Sequence, residues 1–338
     1  MTTLLAGDIG GTKTLLSLYR LETGGGLSLV VSQRYPSADW HDLAPMVQRF
    51  LADHPQAGAG NALPAAACFA VAGPVQGGRA RLTNLPWLLD EDQLAQTTGI
   101  PELELVNDFA VLIYGLPHLQ AAQEAPIRLG RPEAGEPLLV LGAGTGLGVA
   151  LGVPTPAGLK AVPSEGAHGE FAPRHSSEWE LKQWLAQELG LARVSIERVV
   201  SGTGLGLVAR WLLATTPQGS GHPLAALAAD PGQDLPAAVA AAAAAGDGLA
   251  ARALELWLSA YGSVCGDLAL AALSRGGVWL AGGTAAKLLS QLRSGGFERA
   301  FLNKGRLAAV LESMPITAIT DAAVGSFSAA CRARMLLG

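Results

Sequence analysis

One local pattern occurs twice in this chain: an apolar run, a glycine-rich turn and a second apolar run. The first copy is Leu4 to Gly7, then Asp8-Ile9-Gly10-Gly11-Thr12-Lys13, then Thr14 to Arg20. The second is Leu138 to Leu141, then Gly142-Ala143-Gly144-Thr145-Gly146-Leu147-Gly148, then Val149 to Val153. Each predicts a buried strand, a tight hairpin and a strand returning antiparallel, because glycine reaches turn conformations closed to other residues. A chain that repeats such an opening over 338 residues is expected to build two α/β lobes rather than one.

The remaining pattern fits that plan. Leu27 to Gln33 predicts a third strand, Leu43 to Ala52 an amphipathic helix, and Ala65 to Ala72 a buried strand stopping at Gly73-Pro74. Asp90 to Thr97 predicts a helix behind an Asp cap, and Leu103 to Asn107 another strand. In the second half, Val278 to Ala281 predicts a strand ending at Gly282-Gly283. Helices are expected over Glu178 to Leu189, Gly204 to Ala214 and the stretch from Leu235 to Ser274, with a surface loop over Thr215 to Gly232. The alanine run inside the third helical stretch is read as helix former alone.

Composition excludes several classes of function. With 49% apolar and 15% charged residues the chain can bury a large core and is no disordered segment. A net charge of -5 leaves no excess of Lys and Arg for a nucleic acid or an anionic membrane. Asp8 interrupts any leader-like apolar stretch, so a soluble, cytoplasmic protein is expected. Cys68, Cys265 and Cys331 are far apart and flanked by apolar residues, which predicts buried small hydrophobes and neither disulfide nor zinc site.

Five polar clusters are candidate chemistry. Gly10 to Lys13 can present successive N–H groups to an anion, and Asp8 beside phosphates makes sense when Mg²⁺ stands between them. The same residues could form a plain hairpin turn. Gly142 to Gly148 offers Thr145 to a phosphoryl oxygen, yet fits neither the dinucleotide nor the P-loop fingerprint. Asn107-Asp108 places a carboxylate at a strand end, where it can be a general base or the cap of a helix through FAVLIYGL. Glu165, His168 and Glu170, framed by glycines, suit a polyol's hydroxyls, with a surface loop or a metal site as alternatives. Glu197 next to Arg198 reads equally as a surface ion pair.

Taken in order, GDIGGTKT, FAVAGPV, LTNLPW, VNDFA, LGAGTGLG, SEGAHGEFAP, VSIERVVSGTGL and GGVWLAGGTA resemble the bacterial ATP-dependent glucokinase family, within the sugar kinase, heat-shock chaperone and actin superfamily. The resemblance runs from Leu4 to the C-terminal helix. It implies an actin-like, ribonuclease H-like α/β fold with a cleft between a small lobe, 1–108 plus about 320–338, and a large lobe, 109–319. It also implies Mg-ATP as phosphoryl donor, the glucose 6-hydroxyl as acceptor, glycolytic entry and a homodimer. By position, Asp8, Gly10, Gly11, Thr12 and Lys13 match the first phosphate loop, with Asp8 on the Mg²⁺ side. Gly142, Gly144, Thr145 and Gly146 match the second loop, and Gly282 and Gly283 the adenosine-side turn. Asp108 matches the catalytic base. Asn107, Glu165, His168 and Glu197 match the glucose-hydroxyl contacts, joined by Asn84 and Gly73 as edge contacts.

Departures from the family pattern leave alternatives. Ala167 stands where a second glycine is common, Lys13 where Asn is frequent, and Asp267 where Asn is frequent in an interlobe helix. GGTK also occurs in ROK kinases and repressors, but their Cys-rich zinc motif is absent here. A kinase for another hexose or N-acetylhexosamine, or a non-catalytic sugar-sensing relative, would share most of these motifs.

Overall fold

Strand β1 (Thr3–Ile9) is buried at every position except Asp8, so a single charged group interrupts an otherwise buried strand. The computed structural model describes residues 2–55, 63–82, 85–217 and 219–338. The chain forms two compact units: Met1–Gln123 with Thr155–Pro163 and Asp321–Gly338, and Glu124–Pro154 with Ser164–Thr320. Residues 109–123, expected in the large lobe, group with the first unit. Their short helix Leu112–Gly115 packs on the C-terminal helix Val324–Met335, where a Cβ on Gly115 would collide with Ser328.

In the first unit β1 pairs antiparallel with β2 (Lys13–Leu21), which pairs antiparallel with β3 (Leu27–Pro36). On its other side β1 runs parallel to β4 (Ala66–Val71). Beyond the short antiparallel strands β5 (Val75–Gln76), β6 (Arg79–Arg81) and β7 (Leu88–Asp90), strand β8 (Glu102–Asn107) runs parallel to β4. The sheet order is β3-β2-β1-β4-β8. Strand β4 is buried throughout, as expected of a central strand covered on both faces. The helix Glu91–Thr98 starts where the Asp90 carboxylate accepts from the Gln93 N–H at 3.1 Å, and ends on Gly99 with φ 74°. Its core gathers Phe50, Phe69 and Trp87.

The second unit repeats the opening. After β9 (Glu124–Arg128), strand β10 (Leu138–Ala143) turns antiparallel into β11 (Leu147–Thr155). Most of β12 (Gly158–Ser164) counts with the first unit, where Gly158 lies against the Met335 methyl. Strand β10 runs parallel to β13 (Gly277–Ala281), β13 parallel to β14 (Ile316–Ile319), and β14 antiparallel to β9. The helices Gly202–Thr215 and Gly248–Ala272 bury Trp211, Trp257 and Tyr261 in one core with Phe297 and Phe301.

One expectation needs correction here, and another, helix from Leu235 to Ser274, is borne out with a break. The stretch 215–232 is not loop throughout: Pro223–Ala229 is helical, started by Pro at its first position with the His222 Nδ1 accepting from the Leu224 N–H. The stretch 235–274 is two helices, Leu235–Ala244 and Gly248–Ala272, bent by 111°. Gly246, at φ 91°, breaks the first, and the Asp247 carboxylate caps the second through the Ala250 N–H. No single helix among the described residues is long and apolar enough to cross a membrane. All three cysteines are free and buried.

Candidate active site

In the first unit the parallel strands β1, β4 and β8 all end at one edge, where open α/β sheets place their functional groups. β1 delivers Asp8 there, β4 leads into Gly73, and β8 ends at Asn107-Asp108. Gly73 sits at φ 138°, a conformation closed to residues with a side chain. The Asn107 amide joins the three groups: its Nδ2 donates to Gly73 O and to Asp108 Oδ1, both at 3.1 Å. Its Oδ1 accepts from the N–H groups of Phe109 (3.1 Å) and Ala110 (3.0 Å). No side chain caps the short helix Leu112–Gly115: the Asn107 Oδ1 holds the turn that precedes it, so the capping role considered for Asp108 is not taken up.

Asp108 keeps solvent-accessible surface, yet protein crowds its carboxyl closely. That desolvation, reinforced by the charge of Asp8, pushes its pKa up to about 6. Desolvation also raises the Asp8 pKa, opposed by the charges of Lys13 and Arg34. Two carboxylates, the charge of one raising the proton affinity of the other, form a locally negative edge, which favours a cation between them and a phosphate. The Asp8 oxygen also lies 3.5 Å from where a Cβ on Gly325 would stand, so the helix start leaves it room. These residues fit Mg²⁺ held by Asp8 through water. No cluster of three carboxylate, His or Cys groups able to hold a metal occurs among the described residues.

The first hairpin closes with the Gly10 N–H on Lys13 O at 3.1 Å. Ser37, fully buried, holds it from behind: its Oγ donates to Gly10 O at 2.8 Å and its N–H to Thr12 O at 3.1 Å. Carbonyls satisfied from outside leave the N–H side of the turn to face an anion.

The second hairpin is built alike and strapped harder. The Gly144 N–H meets Gly146 O at 2.8 Å, the Gly202 N–H meets Gly144 O at 2.7 Å, and Thr203 Oγ1 donates to Thr145 O at 2.8 Å. Thr284 Oγ1 donates to Ala143 O at 2.5 Å. Gly282, at φ 84°, comes so close that a Cβ there would stand 2.9 Å from Ala143 O, whereas Gly144 and Gly283 face open space. Beside this hairpin lies a cavity of about 500 Å³, floored by Gly144, Thr145, Gly283 and Thr284 and walled by Pro231 to Ala240, Arg210 and Lys287. Sequence reasoning missed Arg210, Gln233, Thr284 and Lys287. The alanine helix, given no role, supplies Ala237 and Ala240 to the wall. Shape rather than chemistry recruits them, and shape leaves no mark in sequence.

The glycine-framed loop brings His168 Nε2 to 3.5 Å from Glu165 Oε2, both side chains open to solvent. Glu170 turns away to Lys182 at 2.6 Å, so the metal alternative at this loop lacks its third ligand. Glu197 forms no ion pair with Arg198 among the described residues. Its Oε2 instead accepts from the Leu147 N–H at 2.9 Å. Asn84 lies outside the described residues.

Comparison with known proteins covers the whole chain. The family model described as Glucokinase matches residues 5–336. The chain is 40% identical over 352 residues to the glucokinase of Nostoc punctiforme, covering 99% of this chain and 100% of that protein. It is 41% identical to the glucokinase of Synechocystis sp. over 342 residues, 96% of each chain. Among solved structures, glucokinase from an Antarctic psychrotroph superposes with a TM-score of 0.83 at 28% identity, covering 98% of this chain and 99% of that one. Likeness in fold extends to a ROK family glucokinase from Streptomyces griseus, solved with glucose and AMPPNP, at a TM-score of 0.63 and 19% identity, with 98% and 99% of the two chains covered.

Proposed function

This chain belongs to the glucokinase family, with its two-lobed actin-like ATPase fold, and is an ATP-dependent hexose kinase; we propose that it transfers the γ-phosphoryl of Mg-ATP to the 6-hydroxyl of glucose. The observation that carries the mechanism is the Asp108 carboxyl, oriented by Asn107 and poised with a pKa of about 6. At neutral pH it is ionised and can take the O6 proton as O6 attacks phosphorus. The O6–P bond forms, the bond from the γ-phosphorus to the bridging β–γ oxygen breaks, and ADP leaves with that oxygen.

Positioning and electrostatics do the rest. The Gly10–Lys13 turn and the Gly144–Gly146 turn offer N–H groups to phosphate oxygens, with Thr12, Lys13 and Thr145 beside them. The cavity at Gly283 and Thr284 has the size and apolar wall for an adenosine. Mg²⁺ at Asp8, when bound, would neutralise phosphate charge. Glu165, His168, Asn107 and the Gly73 backbone are assigned to the sugar hydroxyls, and Asn84 to the sugar edge on family resemblance alone. Cytoplasmic location, service at glycolytic entry and a homodimeric state belong to the same proposal; light scattering on the purified chain tests the last.

The relatives at 40% identity are named glucokinase, which favours glucose over another hexose or a sugar-sensing role. The test is ³¹P NMR of a reaction containing glucose, ATP and Mg²⁺. Glucose 6-phosphate and ADP should accumulate in equal amounts and not when Mg²⁺ is omitted. ATP consumed with no sugar phosphate formed would refute the reading.

A further inference from the structure

Resting on the kinase reading, we infer that Glu197 is a positioning residue of the second phosphate turn, and that through it sugar recognition and nucleotide binding are mechanically joined. Its short helix, Ile196–Val199, sits between two loops of the second unit and is bonded to both. On the sugar-loop side the Ile196 N–H donates to Gly169 O at 2.8 Å, Ser195 bridges to Glu170, and Arg193 Nη1 donates to His168 O at 2.8 Å. On the phosphate side Glu197 Oε2 accepts from the Leu147 N–H at 2.9 Å, and the Gly202 N–H and Thr203 hydroxyl hold Gly144 O and Thr145 O.

Three observations separate this role from a sugar contact alone. The Glu197 carboxylate is packed so tightly over Gly146 that a Cβ there would collide with it, so glycine is required where the acid seats. Glu197 lines a cavity of about 410 Å³ together with Thr145, Gly146 and Thr203 of the phosphate turn and its strap. Its own backbone is fixed: Ser201 Oγ donates to Glu197 O at 2.8 Å and accepts from the Gly204 N–H at 2.9 Å, while Trp257 Nε1 donates to Ser201 O at 2.9 Å. A carboxylate clamped on the last N–H of a turn fixes the directions of the N–H groups before it. With one oxygen engaged on Leu147, the other can accept from a sugar hydroxyl, and that bond would tighten the same clamp.

The discriminating readout is nucleotide affinity with no sugar present, measured by calorimetric titration of ADP into the full chain. Glu197→Ala should weaken ADP about tenfold, the loss expected for one charge-assisted hydrogen bond to a backbone N–H. Glu197→Gln keeps an acceptor for the Leu147 N–H and should stay within about threefold of wild type, since a neutral acceptor retains roughly half of that bond. Gly146→Ala, which forces the carboxylate off its seat, should weaken ADP like Glu197→Ala; it guards against the Ala variant failing to fold. Equal ADP affinity in wild type, Glu197→Ala and Gly146→Ala would overturn the inference and leave Glu197 a sugar contact. A wild-type chain that binds no ADP would overturn the nucleotide site and this inference together.

Discussion

The two glycine hairpins share a plan and differ in what surrounds them. The first, at Gly10 to Lys13, is held by one residue, Ser37, and stands beside two carboxylates whose proton affinities are raised. The second, at Gly144 to Gly146, is held by Gly202, Thr203, Thr284 and Glu197, whose carboxylate takes part in the strap. A strand–turn–strand cradle therefore sets no task by itself. On the proposed reading, acids at neighbouring strand ends suit the first to proton transfer and a cation, and a walled cavity suits the second to a nucleotide.

The contrast breaks most visibly at Asp108. Asp108→Asn should lower kcat about a thousandfold, the upper part of the range for a lost general base. Glucose affinity by calorimetry should stay within about threefold, since Asn keeps an acceptor and a donor at the same place. Thermal stability should not fall. Because the folded pKa is raised above 3.8, ionising Asp108 costs stability, a cost absent below about pH 4 and complete above about pH 6. Asn removes it, so melting at pH 8 should be unchanged or higher. A kcat within tenfold of wild type would take the base role from Asp108.

On the nucleotide side, Gly144 faces open space, so Gly144→Val should fold normally and obstruct only a ligand. An increase in KM for ATP of about tenfold or more, with KM for glucose and melting temperature unchanged, would sharpen the division of tasks, since one displaced phosphate contact is worth about that much. An equal effect on both KM values would erase it.

The acid limb of the rate separates the hairpins by pH. Protonating Asp108 disables the base, so kcat/KM should fall with an apparent pKa of about 6, approaching tenfold per unit below it. ADP binding at the second hairpin should not follow that titration. A kcat/KM flat from pH 7 to 5 contradicts the assignment. The smallest effect concerns the single strap: Ser37→Ala removes bonds to Gly10 O and Thr14 Oγ1 at 2.8 and 3.0 Å. Denaturant unfolding should show a loss of about 1–3 kcal/mol for the buried groups left unpaired, with kcat changed only a few-fold.

Much of this was legible in sequence because it depends on local signals. Glycines after an apolar run mark both hairpins, Asp90 announces its helix, and Asp8 stands out as the one charged residue in a buried strand. What the sequence withheld depends on long-range contact. Asn107 and Asp108 are adjacent and alike in what they can accept, so only the bonds from Phe109 and Ala110 show that Asn107 holds the turn. Glu197 and the Leu147 N–H are 50 residues apart, and a side chain bonded to a backbone group leaves no partner residue to find. The wall from Pro231 to Ala240 acts through its outline alone.

The most direct test of the central claim is a coupled assay of kcat/KM with Mg-ATP across glucose, mannose, fructose and N-acetylglucosamine. Glucose should exceed each of the others by about tenfold or more, the discrimination expected from one or two well-placed hydrogen bonds to a sugar hydroxyl. A chain that phosphorylated none of the four, or preferred N-acetylglucosamine, would contradict the account.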